Sequence, residues 1–158
     1  MFGEISKLMI EKTASEDKRT HLGMIQDVIN RMASNSFLFK GWSITIIAAI
    51  SAFAAKDSNK ALMIIPIVST LLFWAIDGYY LMLERAFRKL YEKVAGKSVT
   101  DIDFVMKPAL EDITFNKWFS TLKRPVLILF YGVVLVMLII LILVLDNITL
   151  GGTTHHGA

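Results

Sequence analysis

The sequence predicts an all-α helical transmembrane protein with three membrane-spanning helices and a small cytosolic helical collar. Three observations carry this expectation. With 54 % hydrophobic residues, 20 % charged residues and a mean hydropathy of +0.54, the 158-residue chain is too apolar for an ordinary water-soluble domain. The stretch Val126–Leu145 carries no charge over 20 residues, enough to cross a hydrocarbon core of about 30 Å. Two further apolar arms, joined by the polar turn Lys56–Asn59, read as a transmembrane hairpin over 41–83.

Residues 1–40 form a lead-in and an amphipathic helix. Up to Asp17 the chain mixes charges with Ile5, Leu8, Met9 and Ile10 and predicts a loosely held start. From Lys18, Leu22, Ile25, Ile29 and Met32 recur at three- and four-residue spacing, with Asp17 as the expected N-cap. Asp27, Asn30 and Arg31 occupy the opposite face, so this helix is expected in water against a partner element. Ser34, Asn35 and Ser36 follow where the helix enters the headgroup layer. Lys40 can snorkel there, and Trp42 suits an interfacial anchor.

The first arm, Gly41–Ala55, spans only about 22 Å at 1.5 Å per residue, short for a full crossing. Its small residues, Ala48, Ala49, Ser51, Ala52, Ala54 and Ala55, favour close helix packing. The second arm contains Pro66 near its start, where a proline disturbs little. The apolar spacing continues past the membrane through Phe87, Leu90, Tyr91 and Val94, predicting one long helix from about Leu62 to Val94, ended at Gly96.

The region 84–125 is expected to be cytosolic and helical. Thr100 and Asp103 have the spacing of a capping box, and Pro108 marks an expected helix start running through Ala109, Leu110, Ile113 and Trp118. Trp118, Phe119, Lys123 and Arg124 describe a segment returning to a membrane face. A surface-lying amphipathic helix and a membrane-proximal packing helix both fit. Residues 126–145 form the third crossing, and 146–158 an external tail without Lys or Arg. Asn147–Thr149 matches a glycosylation acceptor, a pattern common by chance, and His155 and His156 read as part of a floppy terminus.

All Lys and Arg residues except Lys56 and Lys60 then fall on one side. This places the N-terminus inside and the C-terminus outside, which for a bacterium means the inner membrane with a periplasmic tail. Orientation accounts for the basic charge, so nucleic acid is not an expected partner. Met1–Lys18 lacks the apolar core of a cleavable signal, and insertion is expected to rely on the membrane segments themselves. Cysteines are absent, which removes thiol chemistry and disulfides. No metal, cofactor or catalytic residue is predicted: neither His21 with Asp27 nor His21 with Glu84 comes with a nucleophile, and Ala95–Ser98 lacks the glycine context of a phosphate loop.

The candidate functional residues cluster at the inner membrane face: His21, Asn30, Arg31, Asn35, Ser36, Lys40, Asp77, Tyr79, Tyr80, Glu84, Arg85 and Arg88. Asp77 is the oddity, an acid inside an apolar arm, and hence a functional candidate. Lys40 or Arg31 can pair with it, and Glu84 and Arg88 have the spacing of an i,i+4 ion pair. Two roles stay open for Asp77, a charge pair fixing helix or subunit register and a pore-lining or gating group.

The ordered string His21, Asn30-Arg31-Met32, Asn35-Ser36, Lys40 and Trp42, then Asp77, Tyr79-Tyr80, Glu84-Arg85, Arg88 and Leu90-Tyr91, resembles the RipA-like octameric bacterial membrane proteins. That family is related to the small membrane accessory protein of type VI-B CRISPR antiphage systems. The resemblance covers roughly 18–94 and leaves the third crossing and tail unmatched. It implies a homo-octamer in the inner membrane and, for the antiphage relatives, a pore that strengthens defence.

The expected function is therefore a homo-oligomeric inner-membrane assembly forming a regulated pore, in stress response or antiphage defence, with membrane lipids as surroundings. A non-conducting scaffold that recruits a cytosolic protein partner is the alternative. A weaker one is an enzyme at a subunit interface acting on a nucleotide or lipid, which needs His21, Arg31 and Glu84 to converge.

Overall fold

The computed structural model describes residues 1–56 and 60–152, with side chains placed for all but 60, 61 and 148–152. The hairpin tip Asp57–Asn59, the tail histidines His155 and His156, and the side chains of Ile148 and Thr149 in the acceptor pattern lie outside this description. The fold is all-α. Helix α1 covers Phe2–Lys56, α2 Ile64–Ala95, α3 Phe115–Leu122 and α4 Pro125–Gly152, with 3-10 turns at Lys60–Met63 and Leu110–Asp112. Three helices, α1, α2 and α4, contain stretches long and apolar enough to cross a membrane.

Helix α1 is continuous over 55 residues, about 80 Å. The expected start at Lys18 is corrected: Asp17 lies within the helix and caps nothing. The chain has no proline before Pro66, and an isolated glycine such as Gly23 or Gly41 costs a helix only about 1 kcal/mol. Thr13 and Thr20 donate to the carbonyls of Met9 and Glu16, both at 3.0 Å, so their hydroxyls are satisfied inside the helix. The sequence boundaries 40/41, 83/84 and 145/146 fall inside α1, α2 and α4 respectively.

Helix α2 returns antiparallel along α1. Ile25 and Ile29 pack with Leu90 and Val94 at the basic end, and Ser36 meets Asp77 higher up, so partner numbers fall as α1 advances. Pro66 is buried in the first turn of α2, where its missing N–H has no helical acceptor to lose. Gly96 ends α2 with its N–H on the Glu92 carbonyl at 3.1 Å.

Residues 99–109 form no helix, which corrects the capping box at Thr100. Thr100 faces Ser98 and Asp101, and Asp103 binds Lys97 instead. Pro108 does not open a helix either: it is buried in extended chain, and α3 begins only after Thr114, whose hydroxyl accepts the Lys117 N–H at 3.3 Å. The extended chain is tied to α1. Lys18 Nζ donates to the carbonyls of Ala95 and Lys97 at 2.8 and 2.7 Å, and His21 Nε2 meets the Val105 carbonyl at 3.1 Å. Ile102 and Met106 pack on the Ile25–Val94 cluster.

Helix α3 lies against α2 through two indole bonds. Trp118 Nε1 donates to the Ala75 carbonyl at 3.0 Å, and Trp74 Nε1 to that of Leu122 at 3.2 Å. Gly78 lets Leu122 approach: a Cβ there would collide with the Leu122 side chain. Helix α4 packs on α2 and touches α1 little. Between α1 and α4 an apolar groove of about 680 Å³ stays open, lined among others by Ile44, Ile47, Val133 and Met137.

Candidate functional site

Helical periodicity puts Ser36 and Lys40 on one face of α1, and α2 brings Asp77 opposite them. Asp77 is fully buried. Its Oδ2 stands 2.6 Å from Lys40 Nζ and accepts from the Tyr131 hydroxyl at 3.2 Å, while Oδ1 accepts from Ser36 Oγ. Lys40 Nζ also donates to Ser36 Oγ at 2.9 Å. The carboxylate therefore has a cation and two hydroxyl donors, the condition under which a buried charge is tolerated.

This cluster joins three helices. Tyr131 comes from α4, is fully buried, and also reaches the Phe73 carbonyl at 3.3 Å. Its ring stacks on Trp74 at 6.0 Å and meets Phe130 edge-on at 4.9 Å. Ser43, one turn above Lys40 and fully buried, donates back to the Lys40 carbonyl at 2.8 Å. Sequence reasoning missed Tyr131. The available signal was a lone phenol six residues into an otherwise hydrocarbon span, because a buried hydroxyl needs a partner.

Comparison with protein-family models, curated proteins and solved structures returned no match. The site is accordingly read from its own chemistry.

The other candidate residues distribute into separate groups. Asn35 and Tyr80 line a shallow apolar recess with Phe39 and Trp42, and the Phe39 and Tyr80 rings stack at 5.2 Å. Tyr79 is exposed and meets Tyr80 edge-on. Glu84 and Arg88 form their i,i+4 pair at 2.7 Å, with the Arg88 side chain 60 % exposed. Asn30 accepts from Gln26 at 2.9 Å on the outer face of α1. Arg31 is exposed on the same helix, about 13 Å below Lys40 along the axis, and it is Lys40 that takes Asp77. Arg85 turns to a polar cavity against α3.

His21 is fully buried and belongs to the anchor of the extended chain. Beyond its bond to Val105, its ring lies 5.3 Å from Phe104, and Nδ1 has no partner. Phe104 takes the left-handed conformation at φ 51°, the turn that sets its ring over the histidine. His21, Arg31 and Glu84 do not converge: His21 faces Val105, Glu84 faces Arg88, and Arg31 faces outward. Among the described residues no cluster of three or more metal-ligating His, Cys, Asp or Glu side chains forms.

Proposed function

We propose that the protein is a homo-oligomeric inner-membrane assembly, N-terminus in the cytoplasm and C-terminus outside, that changes membrane permeability in response to a signal received by its cytosolic helices. One observation carries this reading: the α1–α2 pair runs unbroken from the charged end into the apolar end and is clamped at the boundary by Lys40, Ser36, Asp77 and Tyr131. A displacement of the cytosolic ends cannot be absorbed in a hinge and reaches the crossings. Opening a polar path would then require the clamp to release Asp77 or Lys40. The resemblance over 18–94 supports an octamer and a defence or stress role. The α1/α4 groove supports self-association, because Ala48 and the buried, unpartnered hydroxyl of Ser51 line it and small or hydroxyl-bearing residues pack helices against one another in lipid.

A second reading rests on the surface of the crossings. Ile44, Ile46, Phe53, Leu71, Leu72 and Ile76 are exposed and apolar, while Asp77 is sequestered. An assembly lined by such positions is a non-conducting scaffold whose collar recruits a cytosolic protein. Flux measurements on proteoliposomes separate the two. Ion leakage from wild-type protein, altered by Asp77→Asn, supports the pore. Tight vesicles with both proteins, and a defined oligomer by native mass spectrometry, support the scaffold.

A further inference from the structure

The polar cavity between α2 and α3 is bordered by four cations. Arg85 and Lys89 come from α2, Lys117 from α3, and Arg124 from the residue preceding α4; the carboxylate at this cavity is Asp112. Asp112 is committed to Lys89 through a direct ion pair. Arg85, Lys117 and Arg124 have no anionic partner among the described residues. Of the other cations in this half of the chain, Lys93 and Lys107 also have no anionic partner among the described residues, but they lie outside the cavity, and the rest have partners. Arg88 holds Glu84, Lys97 holds Asp103, and Lys123 sits 4.7 Å over the Phe119 ring. Membrane orientation explains how many basic residues gather at this face, but not why three unpaired ones converge on one cavity. Like charges gathered in this way repel unless an anion offsets them.

We infer that this cavity binds a phosphate group. Two guanidinium groups supply planar forks matched to phosphate oxygens, and the Lys117 ammonium supplies a third charge-assisted donor. Ser120 adds a hydroxyl on the same wall. The 28-residue α4 begins at Pro125, directly after Arg124, so its positive end adjoins the cavity without lining it. The cavity volume of about 120 Å³ equals roughly four water molecules of liquid, room for a phosphate group. It is far below the roughly 300 Å³ at which pockets for larger ligands begin, so what the cavity itself holds is the phosphate group and not a whole nucleoside. Arg124 adjoins the apolar span of α4, which sets the cavity at headgroup depth. The phosphate therefore comes from an anionic lipid headgroup or from the free ion.

The site stands apart from the question of conductance and is tested without it. Full-length protein purified in detergent is melted in inorganic phosphate and in chloride at matched ionic strength. In parallel it is reconstituted in phosphatidylcholine with and without phosphatidic acid. A higher midpoint with inorganic phosphate assigns a free-anion site, and a rise confined to phosphatidic acid assigns a lipid headgroup. In either case Arg85→Gln and Arg124→Gln weaken the effect at least about tenfold. Arg124→Lys, which keeps the charge and loses the fork, falls between, and Lys93→Gln, outside the cavity, leaves it unchanged. No rise in either arm for wild-type protein, or an equal rise in the two glutamine variants, overturns the assignment.

Discussion

Lys40 Nζ and Asp77 Oδ2 meet at 2.6 Å across the α1–α2 interface, with the lysine side chain 20 % exposed and the aspartate fully buried. The asymmetry matters. The lysine reaches the protein surface in part, whereas the carboxylate has only its protein donors.

Removing one member of this pair should cost more than removing both. Asp77→Leu leaves an ammonium that can partly snorkel, and Lys40→Met leaves a buried carboxylate with two hydroxyls. Breaking a buried pair typically costs about 3–5 kcal/mol, while replacing both partners by apolar residues is near neutral. In thermal melts in detergent, the double variant Lys40→Met/Asp77→Leu should be more stable than Lys40→Met alone. A double variant that falls by the sum of the two singles would show that the pair is not coupled.

Tyr131→Phe should lower stability by about 1–2 kcal/mol, because Asp77 and the Phe73 carbonyl both lose the same donor while the ring stays packed on Trp74. Tyr79→Phe is the control. Tyr79 is 46 % exposed, and its substitution should leave the melting midpoint within experimental error. Equal effects at the two positions would remove α4 from the clamp.

The crossings and the α1–α2 partnership were legible because they rest on local periodicity: the Leu22–Met32 stripe and its continuation at Leu90 and Val94 repeat at 3.6 residues whatever the tertiary context. Asp77 announced itself as a charge in an apolar run, and Lys40 as the cation at the right depth. Three features were hidden. Tyr131 joins the site through a contact more than 50 residues distant in sequence, which no period encodes. The extended path of 99–109 follows from Lys18 holding the Lys97 carbonyl just before it and His21 meeting the Val105 carbonyl within it, so long-range bonds overrode the capping pattern at Thr100. The early start of α1 was missed because Asp17 looks like an N-cap, yet nothing before it supplies a helix breaker.

Two helical glycines should respond in opposite directions to the same substitution. At Gly41 an added methyl group would find no atom within 4 Å, so Gly41→Ala should gain up to about 1 kcal/mol from helix propensity. At Gly78 the added carbon meets Leu122, and the side chain must move, loosening α3 from α2. Overpacking of this kind costs about 1–3 kcal/mol, which exceeds the propensity gain. Melting of both variants checks the sign, and if the clash is its cause Gly78→Ala should cost less in a Leu122→Ala background than in the wild type.

The extended chain should be held by a carboxylate that titrates low. Asp103 receives Lys97 Nζ at 2.7 Å and the Val105 N–H at 3.3 Å, and the lysine bond first, then the backbone bond, lowers its pKa below 3.8. Because the folded value lies below the unfolded one, the stabilisation is complete above pH 3.8 and is lost as pH falls through the folded value. Val105 also carries the carbonyl that meets His21, so protonating Asp103 should loosen the strap on α1. The Val105 amide resonance followed by NMR should therefore shift with a midpoint below 3.8, and Asp103→Asn should abolish the step. A midpoint at or above that value would mean that Lys97 and the backbone donor do not hold the ionised carboxylate in solution.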